Sequence, residues 1–202
     1  MLSCVTAAGL SSKAALRAEV LAARRSLSGR ARDAAATALA RALLDLPELV
    51  SADCVAAYLS FGTEPATTSV LPVLRSRGVR VLLPVLRPDR DLDWTVYVES
   101  DVMPQDRAAW APGQSLGVQA VSDAGVVVVP ALAVGTDGTR LGRGGGSYDR
   151  ALARLPRGRS VVALLYDGEL LPRVPSEPHD RRVTAALTPT AVHRFSAAPG
   201  RP

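Results

Sequence analysis

The feature that most constrains the fold is a long apolar run that leads directly into a glycine-rich segment. Residues 125–134 read GVVVVPALAV, and six glycines fall within the next twelve residues, 135–146. The β-branched start of the run is typical of a strand buried in a parallel sheet. Ligands of open α/β sheets bind at the carboxyl ends of such strands. The junction therefore predicts an α/β fold with a ligand site at the glycine-rich segment.

Helical and strand patterns alternate along the rest of the chain. Residues 11–28 carry apolar side chains at helical spacing and predict a first helix. Ser11 or Ser12 would cap this helix and Gly29 would end it. The other predicted helices are about 31–46, 67–77 and 148–155, and the predicted strands are 54–61, 79–86, 94–98, 125–134, 160–166 and 183–188. The alternation predicts a three-layer α/β/α sandwich with a largely parallel central sheet, Rossmann-like in class.

The length of 202 residues suits one domain. We expect a single domain over residues 11–190, with disordered tails at 1–10 and 194–202. Residues 103–121 are rich in proline, glycine and polar residues, and they predict a covering loop or a lid.

The amino-acid composition limits the classes of binding partner to be expected. The net charge is +5, from 24 basic and 19 acidic residues. This balance fits either mild basicity without a partner or an anionic ligand, including nucleic acid. Aromatic residues make up only 4 % and no basic run exceeds two residues, which disfavours nucleic acid read by base stacking. We expect small-molecule partners and a monomer.

The cysteine and histidine residues indicate which cellular compartment and which metal sites to expect. The two cysteines, Cys4 and Cys54, and the two histidines show no zinc-ligand spacing. No stretch reaches 18 apolar residues and the first ten residues lack a basic signal-peptide region. These observations predict a cytoplasmic protein with reduced thiols and no membrane span.

The glycine-rich segment is suited to phosphate. Backbone N–H groups of glycines can approach phosphate oxygens, and Arg140 and Arg143 can neutralise their charge. The segment is neither a Walker A loop, which requires GK[ST], nor a dinucleotide fingerprint, because Ser147 stands where the third glycine belongs. A flexible hairpin is the alternative interpretation.

Five further residues are candidates for the same chemistry. Asp149, in the first turn of the following helix, is either a Mg²⁺ ligand or an acid that complements the helix dipole. Asp180 is a loop acid that could serve the same metal. Lys13 and Arg17 share one helix face, which is either a solvated face of an arginine-rich protein or a place where an anion would relieve their repulsion. Glu64 follows a strand and could pair with N–H donors of a heterocycle. No Ser/His/Asp or Cys/His arrangement is evident, which favours phosphoryl transfer over a protein nucleophile.

These residues converge on a known family. The matching motifs are Lys13-x-x-Leu16-Arg17, Tyr58-Leu59-Ser60 with Glu64-x-x-Thr67, Val129-Pro130, Arg140-Leu141-Gly142-x-Gly144-Gly145-Gly146-x-Tyr148-Asp149-Arg150, Val174-Pro175, His179-Asp180 and Leu187-Thr188-Pro189. On these motifs the chain resembles the 5-formyltetrahydrofolate cyclo-ligase family from Lys13 to Thr188. The resemblance implies an enzyme that uses ATP and Mg²⁺ to convert 5-formyltetrahydrofolate into 5,10-methenyltetrahydrofolate, ADP and phosphate.

The resemblance also implies roles for individual residues. Arg143 and Tyr148 would be catalytic, Asp149 and Asp180 would bind the metal, and Leu59, Glu64 and Tyr148 would bind the folate. The residues implied for ATP are Lys13, Arg17, Arg140, Gly142, Arg143, Gly144, Gly145, Gly146 and Ser147.

The chain departs from the family pattern at four places. The usual Glu-Pro after a Gly-Ile pair is absent, and residues 117–121, GVQAV, stand in its place. Ser147 stands where an aromatic residue is usual, Glu169 where glutamine is common and Thr184 where aspartate is common. Ser147 could instead cap the following helix. A non-catalytic relative that binds nucleotide or folate, a basic nucleic-acid-binding module and a sugar-phosphate isomerase of similar architecture are the alternatives to the enzyme.

Overall fold

A computed structural model describes residues 12–98 and 113–195. Its helices are α1 (Lys13–Ser26), α2 (Gly29–Leu44), α3 (Pro47–Val50), α4 (Val70–Ser76), a 3-10 helix (Val118–Asp123) and α5 (Ser147–Leu152). Its strands are β1 (Cys54–Ala56), β2 (Arg80–Leu86), β3 (Leu92–Val96), β4 (Val126–Pro130), β5 (Ala133–Gly135), β6 (Arg140–Leu141), β7 (Ser160–Leu164), β8 (Leu170–Leu171), β9 (Ala185–Leu187) and β10 (Val192–Arg194).

The main sheet has seven strands in the order β10-β9-β7-β4-β1-β2-β3. The five inner strands run parallel, and the edge strands β3 and β10 pair antiparallel with their neighbours. The valine-rich strand β4 lies in the middle of this order, as a strand buried on both faces requires. The predicted largely parallel sheet is confirmed.

Helices cover both faces of the sheet, so the three-layer architecture is confirmed. Successive side chains of a strand point to opposite faces: Val126 and Val128 pack with α2, α3 and α4, whereas Val127 and Val129 pack with α5 and the 3-10 helix. None of the described helices is long and apolar enough to cross a lipid bilayer.

A second, small sheet was not predicted. The apolar run 125–134 is divided between β4 and β5, and β5 joins β6 and β8 in the order β6-β5-β8. Helix α1 covers this sheet, because Leu16 and Val20 pack against Leu132 and Leu141. Burial of each such side chain contributes about 1.5–3 kcal/mol. The run is apolar throughout because β4 and β5 are both buried, so hydrophobicity does not indicate where one strand ends and the next begins.

Several predicted boundaries are wrong. Helix α1 ends at Ser26 and Gly29 begins α2, because Leu27 is extended and the Ser28 hydroxyl accepts a hydrogen bond from the N–H of Ala31. Ser12 is confirmed as the cap of α1. The strand predicted at 54–61 is regular only over β1. Beyond it, the N–H of Ser60 donates to the Thr67 hydroxyl instead of to a neighbouring strand.

The predicted C-terminal tail also begins too early. Arg194 lies in β10 and pairs with Glu48, and Phe195 packs against the core. The predicted tail at 1–10 and residues 103–112 of the predicted lid lie outside the described residues. Residues 118–121 of that predicted lid belong to the 3-10 helix.

Candidate active site

A cavity of about 1500 Å³ lies beyond the carboxyl ends of β1 and β4. From β1 the chain moves outward to β2 and β3 and then returns to β4 on the other side of β1. This reversal creates the crevice in which open α/β sheets bind ligands. The predicted site residues that line the cavity are Lys13, Arg17, Glu64, Arg140, Gly142, Arg143, Gly144, Gly145, Gly146, Ser147, Tyr148, Asp149 and Asp180.

Leu59 differs from the other predicted site residues, all of which are described. It is 5 % exposed and packs inside the core beneath the sheet. Leu59 is not among the residues that line the cavity. Leu59 and Glu64 are close in the chain, but the side chain of Leu59 packs in the core whereas Glu64 lines the cavity.

The glycine-rich loop connects β6 with α5 and requires glycine at specific points. A Cβ atom on Gly142 would lie 2.8 Å from Nη1 of Arg140. Gly144 has a φ of 101°, and a Cβ atom added there would lie 3.3 Å from Cζ of Arg17. Guanidinium groups therefore lie directly against the loop backbone. Gly146, in the left-handed conformation, is the N-cap of α5, so Ser147 does not cap this helix as suggested.

Arg140 is the most buried cation of the loop region, with 4 % of its side chain exposed. Nη1 donates to the carbonyl of Pro130 at 3.3 Å and Nη2 donates to Asp149 at 3.0 Å. The guanidinium carbon lies 5.8 Å from the centre of the Tyr148 ring. Its Nε is buried and has no hydrogen-bond partner among the described residues. Buried donors without a partner are uncommon in folded proteins.

Helix α1 holds the loop from the opposite side of the cavity. Arg17 Nε donates to the Gly142 carbonyl at 2.9 Å. Lys13 Nζ lies 2.8 Å from Asp180 and 3.1 Å from Glu177. Burial disfavours the charge of Lys13, but these two hydrogen bonds outweigh it and raise the pKa of the ammonium group. The predicted shared face of Lys13 and Arg17 is confirmed, and both face the cavity.

Glu64 is anchored at the carboxyl end of β1. Its carboxylate accepts a hydrogen bond from the N–H of Phe61 at 3.0 Å, and its backbone carbonyl accepts one from Tyr166 at 3.5 Å. Arg143 reaches across from the loop to within 3.3 Å of the Glu64 carboxylate. One buried acid and the phosphate-type loop therefore share a single cavity.

The two predicted metal ligands are engaged by cations. Asp149 accepts from Arg140 and from the N–H of Arg181 at 3.1 Å, both through Oδ1. Asp180 accepts from Lys13 and from the N–H of Glu177 at 2.7 Å. Burial opposes ionisation of Asp180, but these donors outweigh it and lower the pKa of its carboxyl group.

The carboxylates at the loop provide few ligands for a Mg²⁺ ion. No group of three or more acidic, histidine or cysteine side chains within residues 12–98 and 113–195 could hold a metal ion. Mg²⁺ usually binds through one or two carboxylates together with phosphate oxygens. Asp149 keeps Oδ2 clear of hydrogen bonds within the described chain. The residues therefore fit a Mg²⁺ ion that arrives with phosphate groups, and not a resident protein-only site.

The wall of the cavity has an excess of positive charge. Its described cationic side chains are Lys13, Arg17, Arg24, Arg25, Arg140, Arg143, Arg150 and Arg181. Its described acidic side chains are Glu64, Asp149, Glu177 and Asp180. Arg24 is neutralised by Glu169, which lies outside this set, and the remaining seven cations against four acids still make the cavity attractive to a polyanion.

Sequence reasoning missed some residues of this wall. Arg24 is buried and pairs with Glu169, and Glu177 and His179 flank Asp180. A signal for Arg24 was present, because it follows Arg17 by seven residues and so shares its helix face. For Glu177, proximity to Lys13 depends on the fold and leaves no local signal.

The chain was compared with known proteins. A family model described as the 5-formyltetrahydrofolate cyclo-ligase family matches residues 10–189. A 5-formyltetrahydrofolate cyclo-ligase of Mycolicibacterium smegmatis is 38 % identical over 189 residues, which cover 88 % of this chain and 94 % of that protein. The Escherichia coli protein of the same name is 31 % identical over 155 residues, covering 74 % of this chain and 85 % of its own length.

Solved structures agree on the fold. The 5,10-methenyltetrahydrofolate synthetase of Aquifex aeolicus matches with a TM-score of 0.75 at 24 % identity, covering 94 % of this chain and 96 % of its own. The enzyme of that name from Mycoplasma pneumoniae matches with a TM-score of 0.70 at 19 % identity, covering 87 % of this chain and 98 % of its own. The extent of the family match, together with the two relatives above 30 % identity, shows that the chain belongs to the 5-formyltetrahydrofolate cyclo-ligase family.

Proposed function

We propose that the protein converts 5-formyltetrahydrofolate into 5,10-methenyltetrahydrofolate, with ATP converted to ADP and phosphate. The observation that carries the proposal is the contact of Arg143 with Glu64, 3.3 Å apart. It joins a basic glycine-rich loop, suited to phosphates, to a buried carboxylate, suited to a heterocycle. A reaction between a nucleotide and a pterin needs both kinds of site within one cavity.

The ATP side of the cavity consists of the loop and the start of α1. Lys13 and Arg17 would contact the phosphates from α1, while Arg140 would contribute its positive charge from the cavity wall. Loop residues Gly142, Arg143, Gly144, Gly145, Gly146 and Ser147 would surround the phosphates with backbone N–H groups. Bidentate contacts from arginine suit phosphate oxygens better than point charges do.

The folate side is formed by Glu64 and Tyr148. The Glu64 carboxylate can accept hydrogen bonds from the N–H donors on the polar edge of a pterin. Tyr148 lines the cavity beside the Arg140 guanidinium, where it could contact both substrates. Leu59, which lies in the core, would support this end of β1 by packing and not by contact with the ligand.

The chemistry needs an activated formyl oxygen. This oxygen attacks the γ-phosphorus of ATP, an O–P bond forms and the bond to ADP breaks. N10 of the folate then attacks the formyl carbon and loses its proton. The C–O bond breaks, phosphate departs with the bonding electrons, and the N5–C–N10 amidinium remains. Arg143 and Tyr148 would act at the reacting groups, with Arg143 stabilising the charge that develops on the transferred phosphoryl group.

Mg²⁺ would neutralise phosphate charge when it is bound with ATP. Asp149 and Asp180 would hold it, with Asp149 offering Oδ2. Arg140 and Lys13 would meanwhile keep these carboxylates oriented. The cytoplasmic location and the monomeric state expected from the sequence stay predictions.

The deciding experiment follows the methenyl chromophore by near-ultraviolet absorbance with 5-formyltetrahydrofolate, Mg²⁺ and ATP. We expect the chromophore to form only when ATP is present, with ADP released in equal amount. Ligand binding by calorimetry without chromophore or ADP would instead identify a non-catalytic relative, for which Ser147 in place of an aromatic residue is the supporting observation. In that case Ser147→Tyr is the next variant to test.

A further inference from the structure

Arg24 and Glu169 form a buried ion pair that neither side of the proposed reaction uses. Arg24 Nε lies 2.7 Å from Oε1 and Nη2 lies 2.7 Å from Oε2, so two parallel hydrogen bonds join the side chains. Arg24 is 1 % exposed and Glu169 is 6 % exposed. Fork-to-fork pairs of this kind have a defined geometry as well as a favourable charge interaction.

The ion pair makes four further contacts with residues in or next to the two sheets. Arg24 Nη2 also donates to the carbonyl of Ala131 at 2.6 Å, directly after β4. Glu169 accepts from the N–H of Tyr166 at 2.8 Å, and its own carbonyl accepts from Val134 in β5. The Arg24 guanidinium lies over the Tyr166 ring at 5.5 Å. One side chain of α1 is therefore attached to the end of β4 and, through Glu169, to the small sheet.

Helix α1 connects the ion pair to the cavity, because it also carries Lys13 and Arg17. Arg24, Arg17 and Lys13 lie seven and four residues apart, so they share one face of the helix. At a rise of about 1.5 Å per residue, Arg24 lies about 10 Å from Arg17 along the axis. Between Arg17 and Arg24 lies the apolar residue Val20, whose side chain packs on the small sheet and has no hydrogen-bonding group. Apolar contact alone tolerates sliding, whereas the ion pair permits one position.

We propose that Arg24 and Glu169 are positioning residues that set α1 at the height where Arg17 reaches the Gly142 carbonyl and Lys13 reaches Asp180. The inference rests on the proposed function for its kinetic consequence only. Because α1 contacts the ATP side of the cavity, loss of the ion pair displaces phosphate contacts and leaves the Glu64 side in place. Glutamine at position 169 could still accept one of the two hydrogen bonds from Arg24.

The test uses Glu169→Leu, the double variant Arg24→Met/Glu169→Leu, Arg24→Lys and the conservative Glu169→Gln. We expect the first three to raise the KM for ATP about tenfold, with the folate KM and kcat changed less than about threefold. Glu169→Gln should raise the KM for ATP less than Glu169→Leu does, since one hydrogen bond from Arg24 persists although its counter-charge is lost. The double variant removes both charges together and so avoids an unpaired buried ion.

A second measurement does not depend on activity. Amide hydrogen exchange of the nucleotide-free protein should accelerate within α1 in the three disruptive variants, while β4 and β7 stay protected. Unchanged α1 exchange and an unchanged KM for ATP would overturn the proposal. Both KM values and kcat worsening together, in step with the melting temperature, would also overturn it. If Glu169→Leu does not fold, Arg24→Lys decides, because lysine keeps the charge but lacks the fork. A parent protein without ATP-dependent chromophore would refute the proposed function, and the exchange data would still test the positioning role.

Discussion

Arg143 and Glu64 form an ion pair across the cavity although their environments differ strongly. The side chain of Arg143 is 58 % exposed, whereas that of Glu64 is 4 % exposed, and the closest N–O distance is 3.3 Å. An exposed arginine gains little from such a pair, but a buried carboxylate depends on its donors. The contact therefore serves Glu64 when no ligand is bound, and a ligand with N–H donors can replace Arg143 there.

Replacement of Arg143 tests its place on the phosphate side. We expect Arg143→Ala to lower kcat/KM about 10²-fold or more, because a cation at the transferred phosphoryl group stabilises the transition state. The melting temperature should stay close to that of the parent protein, since the side chain is exposed. Steady-state kinetics and a thermal melt give the result. Arg157→Ala, an exposed arginine outside the cavity wall, is the matched control. Near-normal turnover of the Arg143 variant would reject the assignment.

Replacement of Glu64 tests the folate side. Glu64→Gln keeps the size of the side chain but weakens hydrogen bonds that involve charge, each worth about 1.5–3 kcal/mol. We expect the KM for the reduced folate to rise about tenfold or more, with a much smaller change for ATP. Calorimetric titration with the folate alone provides a check that does not need turnover. An equal rise in both KM values would show that Glu64 holds the whole cavity together instead.

The close approach at Gly142 predicts a sharp steric effect. In Gly142→Ala the new methyl would meet Arg140 Nη1 at 2.8 Å, so Arg140 or the loop must move. We expect weaker ATP binding and a higher KM for ATP, measured by calorimetry and kinetics. Gly29→Ala is the matched control, because nothing lies within 4 Å of the position of its added Cβ. Parent-like ATP binding in Gly142→Ala would show that the tight contact has no functional role.

The carboxylates at the loop predict the metal dependence. Asp149→Asn keeps a hydrogen-bond acceptor for Arg140 but removes the negative charge, so we expect a higher Mg²⁺ concentration for half-maximal activity. Lys13→Ala should raise the KM for ATP more than that for folate, because the ammonium group lines the part of the cavity that we propose for the phosphates. Titration of Mg²⁺ at fixed ATP separates the two effects. Asp149→Asn with unchanged Mg²⁺ dependence would remove Asp149 from the metal site.

Stability at acidic pH should depend on the pair Asp91–Arg154. Two hydrogen bonds from Arg154 join the turn between β2 and β3 to the segment after α5 and lower the pKa of the Asp91 carboxyl group. A lowered folded-state pKa stabilises the protein above the unfolded value of about 3.9. This stabilisation is lost as the pH falls through the lower folded-state value.

The measurement is urea unfolding of the parent protein and Arg154→Met at pH 7 and pH 3. We expect the variant to be less stable by about 1 kcal/mol at pH 7, the scale of a well-formed pair near the surface. The difference should shrink at pH 3. A difference that is the same at both pH values would show that Arg154 acts through packing of its alkyl chain and not through the ion pair.

Local patterns predicted most of the elements, and errors cluster where tertiary contacts choose between local options. The valine run of β4 predicts a buried strand in any fold, because both faces need apolar cover. The break between β4 and β5 was missed, since both strands are buried and equally apolar. Gly29 was interpreted as a stop because glycine commonly ends helices, but here the Ser28 cap makes it a beginning.

The amino-acid sequence by itself determined the fold class and the composition of the site, through strand–helix alternation and the motif residues around Arg140 and Glu64. Only the tertiary structure decided which of these residues meet. The ion pair of Arg143 with Glu64 and that of Arg24 with Glu169 join residues 79 and 145 positions apart in the chain. Such contacts follow from strand order, and periodicity along the chain carries no information on strand order. Leu59 is the converse case, because it is near Glu64 in the chain and yet packs in the core, away from the cavity.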